Sequence, residues 1–225
     1  MNRQPLLRLA LASALAGCCG LAAASSAEAG GTVAFDRPEL QAPASIKVTV
    51  SDIAPDGAMS AKFTADGKNV APSTRWSVGP PGTKSYVLIM QDPDASGPEP
   101  IVHWLVYDIP IRYLAVPGGM RNMAEPANPF GSAQGWNYHG SVGYTGPRLA
   151  VSDGLHHYHF QVFALDRALH VAPGAQPERV LGAMKGHVIA RGELVATYAA
   201  PKPKEPRSQG ATPQGPTPPE TGTQP

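Results

Sequence analysis

The chain has 225 residues, with 18 Lys and Arg against 17 Asp and Glu, so its formal charge is only +1. That balance excludes a generic nucleic-acid binder, which carries a marked basic excess. Gly and Pro number 24 and 25, which predicts many turns between short elements, although much of the proline falls in the last segment.

Residues 1–29 read as an export signal. Arg3 and Arg8 precede the uncharged run LALASALAGCCGLAAA, and SSAEA offers a small-residue cleavage site after Ala29. A membrane anchor needs about 20 strongly apolar residues, and this run is mostly Ala, Gly and Cys. Leu15-Ala16-Gly17-Cys18 fits a bacterial lipobox equally well, with the lipoprotein signal ending at residue 17 and Cys18 acylated. Both outcomes place the folded part outside the cytoplasm, periplasmic or envelope-anchored, with a lipid on Cys18 as its one route to the membrane. Cys18 and Cys19 both belong to the leader, so the domain has neither a disulfide nor a thiol nucleophile.

One domain is expected over residues 30–200. IKVTVS (46–51), SYVLIMQ (85–91), VHWLVYDI (102–109), HHYHFQVFALD (156–166) and GELVATY (192–198) are rich in β-branched and aromatic residues and read as strands. VGPPGT (78–83) and VPGG (116–119) separate them. One helix is predicted, with Pro177 near its start and Val180, Leu181, Met184 and His187–Val188 at three- and four-residue steps. Strands first and a late helix favour a mainly β fold, an antiparallel sheet or sandwich with peripheral short helices. Residues 201–225 lack aromatic and branched aliphatic side chains entirely and read as a disordered, proline-rich tail.

The chemistry concentrates in histidines at strand starts. Alternation puts His156 on one face with Tyr158, Phe160, Val162 and Ala164, and His157 and His159 on the other with Gln161 and Phe163. In the 102–109 strand it sets Val102, Trp104 and Val106 against His103, Leu105 and Tyr107, apolar on both faces, as in a strand covered on both sides. His103 and His156 are then inward imidazoles, each needing a partner or a ligand. MQDPDAS (90–96) places Asp92 and Asp94 at the end of a buried strand, with Asp94 the better turn-former. GYTGP (143–147) can present free backbone amides. The predicted pocket therefore holds Asp92, Asp94, His103, Tyr144, His156 and the backbone around Gly146–Arg148. His157 and His159 have no third metal ligand and read as an exposed face.

Taken together, FTADGKNVAPSTRW (63–76), PPGTKSYVLIMQDPDA (80–95), HWLVYDIP (103–110), GYTGP, GLHHYHFQVFALD (154–166) and GHVIARGELVATY (186–198) resemble the phosphatidylethanolamine-binding protein family, in its bacterial Raf kinase inhibitor-like branch. The resemblance spans about Val48 to Tyr198. It implies a β-sandwich with a small pocket at one end for phosphate and similar anions. Asp92 becomes the pocket acid, Asp94 its companion, His103 the HW histidine, His156 and Tyr158 the H-x-Y pair, and Gly146 and Pro147 the wall. Ser96 stands where the family usually has proline, and His157 where it usually has arginine. Arg148–Leu149–Ala150 replaces a proline-rich run, leaving Arg148 either a cation for the ligand or a solvent-facing side chain.

The resulting expectation is a binding protein, not an enzyme, with no cofactor, for phosphate or a phospholipid head group such as phosphoethanolamine. Imidazoles, a tyrosine hydroxyl and turn amides would donate to the anion. Two other classes stay open. One is a metal-assisted hydrolase using Asp92, His103 and His156. The other is a protein whose surface inhibits a kinase or protease.

Overall fold

The computed structural model describes residues 31–202. The leader, Cys18 within it and nearly all of the tail lie outside the described residues. The described strands are β1 (Ala44–Ser45), β2 (Val48–Val50), β3 (Thr74–Trp76), β4 (Ser85–Asp92), β5 (Ile101–Pro110), β6 (Ala115–Val116), β7 (Ala133–Gln134), β8 (Leu155–Leu165) and β9 (Val188–Ala199), with helix α1 (Pro177–Met184) between the last two. They form a six-stranded sheet in the order β1-β9-β8-β4-β5-β7 and a three-stranded sheet in the order β2-β3-β6. Every pairing is antiparallel except β1 with β9.

The large sheet is covered on both faces, which explains why all eight residues of β4 are buried. On one face Leu88, Met90, Trp104, Phe160 and Val162 pack against Val48, Trp76 and Val116 of the small sheet. On the other, Val87, Ile89, Leu105, Tyr107 and Phe163 pack against Val180, Leu181 and Met184 of α1 and against Ala34 and Leu40 of the N-terminal segment. That segment is held at the sheet by two buried glutamines. The Ala34 and Phe35 N–H groups donate to Gln91 Oε1 and Gln161 Oε1, at 2.7 and 2.5 Å.

Two expectations need correction. The helical pattern does not run on to His187–Val188, because α1 stops at Met184 and Gly186, at φ 74°, turns the chain into β9. Strand β9 accordingly begins at Val188, four residues before the predicted GELVATY segment. The short strands β1, β3, β6 and β7 were not predicted as strands, since two or three residues cannot display a period of two.

Candidate functional site

The strand β4 ends at Asp92 and β5 begins at Ile101, which faces it across the ladder. Between Gln91↔Val102 and Met90↔Trp104 the β5 strand carries one extra residue, and that residue is His103. A bulge of this kind re-aims a side chain. It overturns the simple alternation expected here. Val102 packs with Leu105 and Tyr107 on the helix-covered face, whereas the His103 ring meets the Tyr158 ring edge-on at 5.3 Å on the side of Trp104. On β8 the alternation holds: His156, Tyr158, Phe160, Val162 and Ala164 are all buried, and His157 is exposed.

At this end of the sheet lies a hollow of about 300 Å³. Asp92, Asp94, His103, Pro147, Arg148, His156 and Tyr158 line it, together with Ser96, Leu149, Asp153 and Tyr138. Asp92 Oδ2 accepts a hydrogen bond from His156 Nδ1 at 2.8 Å, and Oδ1 accepts from the Asp94 N–H at 2.8 Å. His103 Nε2 stands 4.0 Å from the same Asp92 Oδ2. The other His103 nitrogen, Nδ1, is 2.8 Å from the Thr145 carbonyl. A carbonyl only accepts, so Nδ1 carries the hydrogen and a neutral ring turns a bare Nε2 toward the hollow. Among the described residues, His103 Nε2 and the Tyr158 hydroxyl are both buried without a hydrogen-bond partner.

The electrostatics follow from burial. Desolvation lowers the His103 pKa from 6.5 to about 4, against the raising effects of the Thr145 carbonyl and the Asp92 charge. Burial, then the Asp92 charge and the closeness of the hydroxyl to that carboxylate, pushes Tyr158 above its ordinary value, so it stays a donor; the approach to Asp92 falls short of hydrogen-bond geometry. For Asp94, burial raises the carboxyl, but hydrogen bonds from the His157 ring and backbone N–H outweigh it and hold the group below its usual range. Asp94 is therefore more than a local turn-former. It ties the 93–100 loop to β8.

Two of the expected residues do not reach the hollow. The Tyr144 hydroxyl donates to the Phe63 carbonyl at 2.8 Å, and its ring packs edge-on against Trp104, so it is a core residue. The Gly146 N–H donates to Asn69 Oδ1 at 2.7 Å and is not a free turn amide. Gly146 serves close packing instead, since a Cβ there would lie 2.1 Å from the Phe63 carbonyl oxygen. Pro147 does line the wall. Arg148 lies at the mouth with Nε 3.7 Å from Asp66, so it is neither a buried ligand cation nor wholly free in solvent.

Sequence reasoning missed Tyr138, whose ring meets His103 at 4.9 Å. Its backbone N–H donates to the Val102 carbonyl, which fixes the GWNYHG turn over the pocket. The aromatic pair Trp136 and Tyr138 beside GYTGP was the available signal. For the metal reading, Asp92 Oδ2 already accepts from His156 Nδ1, and Nδ1 of His103 is turned to a carbonyl. Among the described residues, no group of three His, Cys, Asp or Glu side chains is arranged to hold a metal ion.

Comparison with known proteins bears on the same segments. The phosphatidylethanolamine-binding protein family model matches residues 49–199. A UPF0098 protein of Pyrococcus abyssi is 39% identical over 146 residues, covering 64% of this chain and 79% of its own. A Mycobacterium tuberculosis protein named "Putative lipoprotein LppC" is 32% identical over 207 residues, covering 88% and 97%. The crystal structure of Escherichia coli YbcL, described as a member of the mammalian PEBP family, superposes with a TM-score of 0.64 at 28% identity, over 70% of this chain and all of that one. By motif order, architecture and these matches, the chain belongs to the phosphatidylethanolamine-binding protein family.

Proposed function

We propose that the hollow binds a phosphate-type anion, as inorganic phosphate or as a phospholipid head group such as phosphoethanolamine, and that binding is coupled to a proton. The observation that carries this reading is the pair of buried, unpartnered polar atoms, His103 Nε2 and the Tyr158 hydroxyl, in residues lining one hollow. Leaving such atoms unpaired costs roughly 1–3 kcal/mol each, so the arrangement makes sense if a ligand completes it. Tyr158 donates. His103 Nε2 accepts when neutral, so it either takes the proton of a P–OH group or is itself protonated and donates to a phosphate oxygen. This refines the expectation that every pocket group donates to the anion. Asp92 holds the His156 ring in one tautomer, with Nδ1 as the donor.

The expected pH window also moves. A bound anion raises the His103 pKa from its free value of about 4, so affinity rises as the pH falls toward that value, by up to about tenfold per pH unit for one proton. Titration calorimetry with phosphate and with phosphoethanolamine from about pH 8 to about pH 5 tests this. Rising affinity at low pH supports the reading, and a flat profile overturns it.

The same proposal places the protein in the bacterial envelope, held by a lipid on Cys18. The lipobox reading supports that, and so does likeness to a relative with a lipoprotein name that aligns over 88% of this chain.

A further inference from the structure

We infer that the pocket end of the domain is its membrane-docking face, so that a lipid on Cys18 holds the mouth of the hollow against the bilayer. This rests on the anchored, headgroup-binding reading above and adds an orientation to it. Both chain connections support it. The described chain enters at Gly31, whose α-carbon is packed so tightly against the 98–100 segment that a Cβ would lie 2.6 Å from the Pro98 carbonyl oxygen. Arg37 adds an ion pair to Glu99 in the same loop. That loop, between β4 and β5, also carries Asp94, Ala95 and Ser96 of the pocket wall. The chain leaves after Ala199, which pairs with Leu155, one residue before His156. Entry and exit therefore flank the same opening.

Chain length turns this proximity into an orientation. The roughly 13 residues from Cys18 to Gly31 reach at most about 45 Å even fully extended. To set the opposite end of a domain about 40 Å across on the bilayer, they would have to run roughly 60 Å around its side, half its circumference.

The surface at the mouth suits an interface. Val151 and Leu155 are large apolar side chains that remain 50% and 57% exposed, and they flank Asp153 of the pocket wall. Lys202 is exposed just past the exit, and Lys204 and Arg207 follow it in sequence. Basic residues beside an anionic bilayer add electrostatic attraction to the lipid anchor, about 1 kcal/mol per Lys or Arg near the surface. The bilayer is the occupant that a lipid anchor, an apolar rim and a basic exit segment have in common.

The test uses the full chain, processed in a bacterial host, carrying Cys19→Ser and one reporter cysteine labelled with a fluorophore. Val151→Cys marks the mouth. Phe130→Cys marks the far end, near Pro110 at the end of β5. The protein is placed in vesicles of phosphatidylethanolamine with a minority of phosphatidylglycerol, some lipids bearing a headgroup quencher. Quenching several-fold stronger at position 151 than at 130 supports the orientation. Equal quenching, or stronger quenching at 130, overturns it. Cys18→Ala should release the protein to the soluble fraction, and its retention in membranes with an unchanged quenching pattern would overturn the role of the anchor. Phosphate titration of the released protein reads the pocket separately, so a failed pocket and a failed orientation give different results.

Discussion

His156 and Asp92 meet through a buried 2.8 Å hydrogen bond, between side chains 64 residues apart in sequence and on two neighbouring strands. The bond fixes the His156 tautomer with Nδ1 as donor and occupies the one carboxylate oxygen that also lies within 4.0 Å of His103. Asp92→Ala leaves a buried imidazole N–H and the Asp94 N–H without acceptors. The expected loss is about 2–4 kcal/mol of stability, read as a lower urea midpoint at unchanged slope.

Tyr158 separates ligand binding from folding. Its hydroxyl is buried and has no hydrogen-bond partner among the described residues, so Tyr158→Phe should leave stability unchanged or raise it by up to about 1 kcal/mol. The same change should weaken phosphate binding by roughly tenfold to a hundredfold, as expected for the loss of one hydrogen bond to an anion. Thermal unfolding with and without phosphate measures both effects. A destabilised variant with undiminished binding would assign the hydroxyl to packing instead.

His103 makes stability depend on pH. Its folded-state pKa of about 4 lies below the 6.5 of an exposed histidine, so the unfolded chain takes up a proton first as the pH falls. The contribution is complete above about pH 6.5 and is lost progressively toward pH 4, by roughly 3 kcal/mol over that window. Urea unfolding across the range should show this slope in the wild type and a smaller one in His103→Phe. Equal slopes would mean that other groups dominate the acid sensitivity.

Gly146 is a packing requirement, not an anion-binding turn. With the Phe63 carbonyl oxygen 2.1 Å from where a Cβ would sit, Gly146→Ala must displace backbone against backbone. A loss of about 2 kcal/mol or more is expected, checked by thermal unfolding.

Much of this was legible in the chain because the informative strands are long. The eleven residues of β8 display alternation openly, and the burial of His156 beside an exposed His157 follows from it. The failure at His103 has a specific cause. A one-residue bulge leaves no mark in a strand that is apolar on both faces, so the flip of Val102 relative to Trp104 could not be read from pattern. Tyr144 misled for a similar reason, since a tyrosine beside a Gly-Pro turn can face the pocket or the core, and the deciding acceptor is a carbonyl 81 residues away. Gly146 was read as a pocket wall in a turn with free amides, but its contact with Phe63 depends on a loop folded in from far along the chain.

The most direct test of the anion-site proposal is the crystal structure of the protein soaked with phosphate near pH 5.5. The account predicts phosphate density within hydrogen-bond distance of both His103 Nε2 and the Tyr158 hydroxyl. Phosphate seated elsewhere, or a hollow filled by collapsed side chains while calorimetry on the same protein shows saturation, would contradict it.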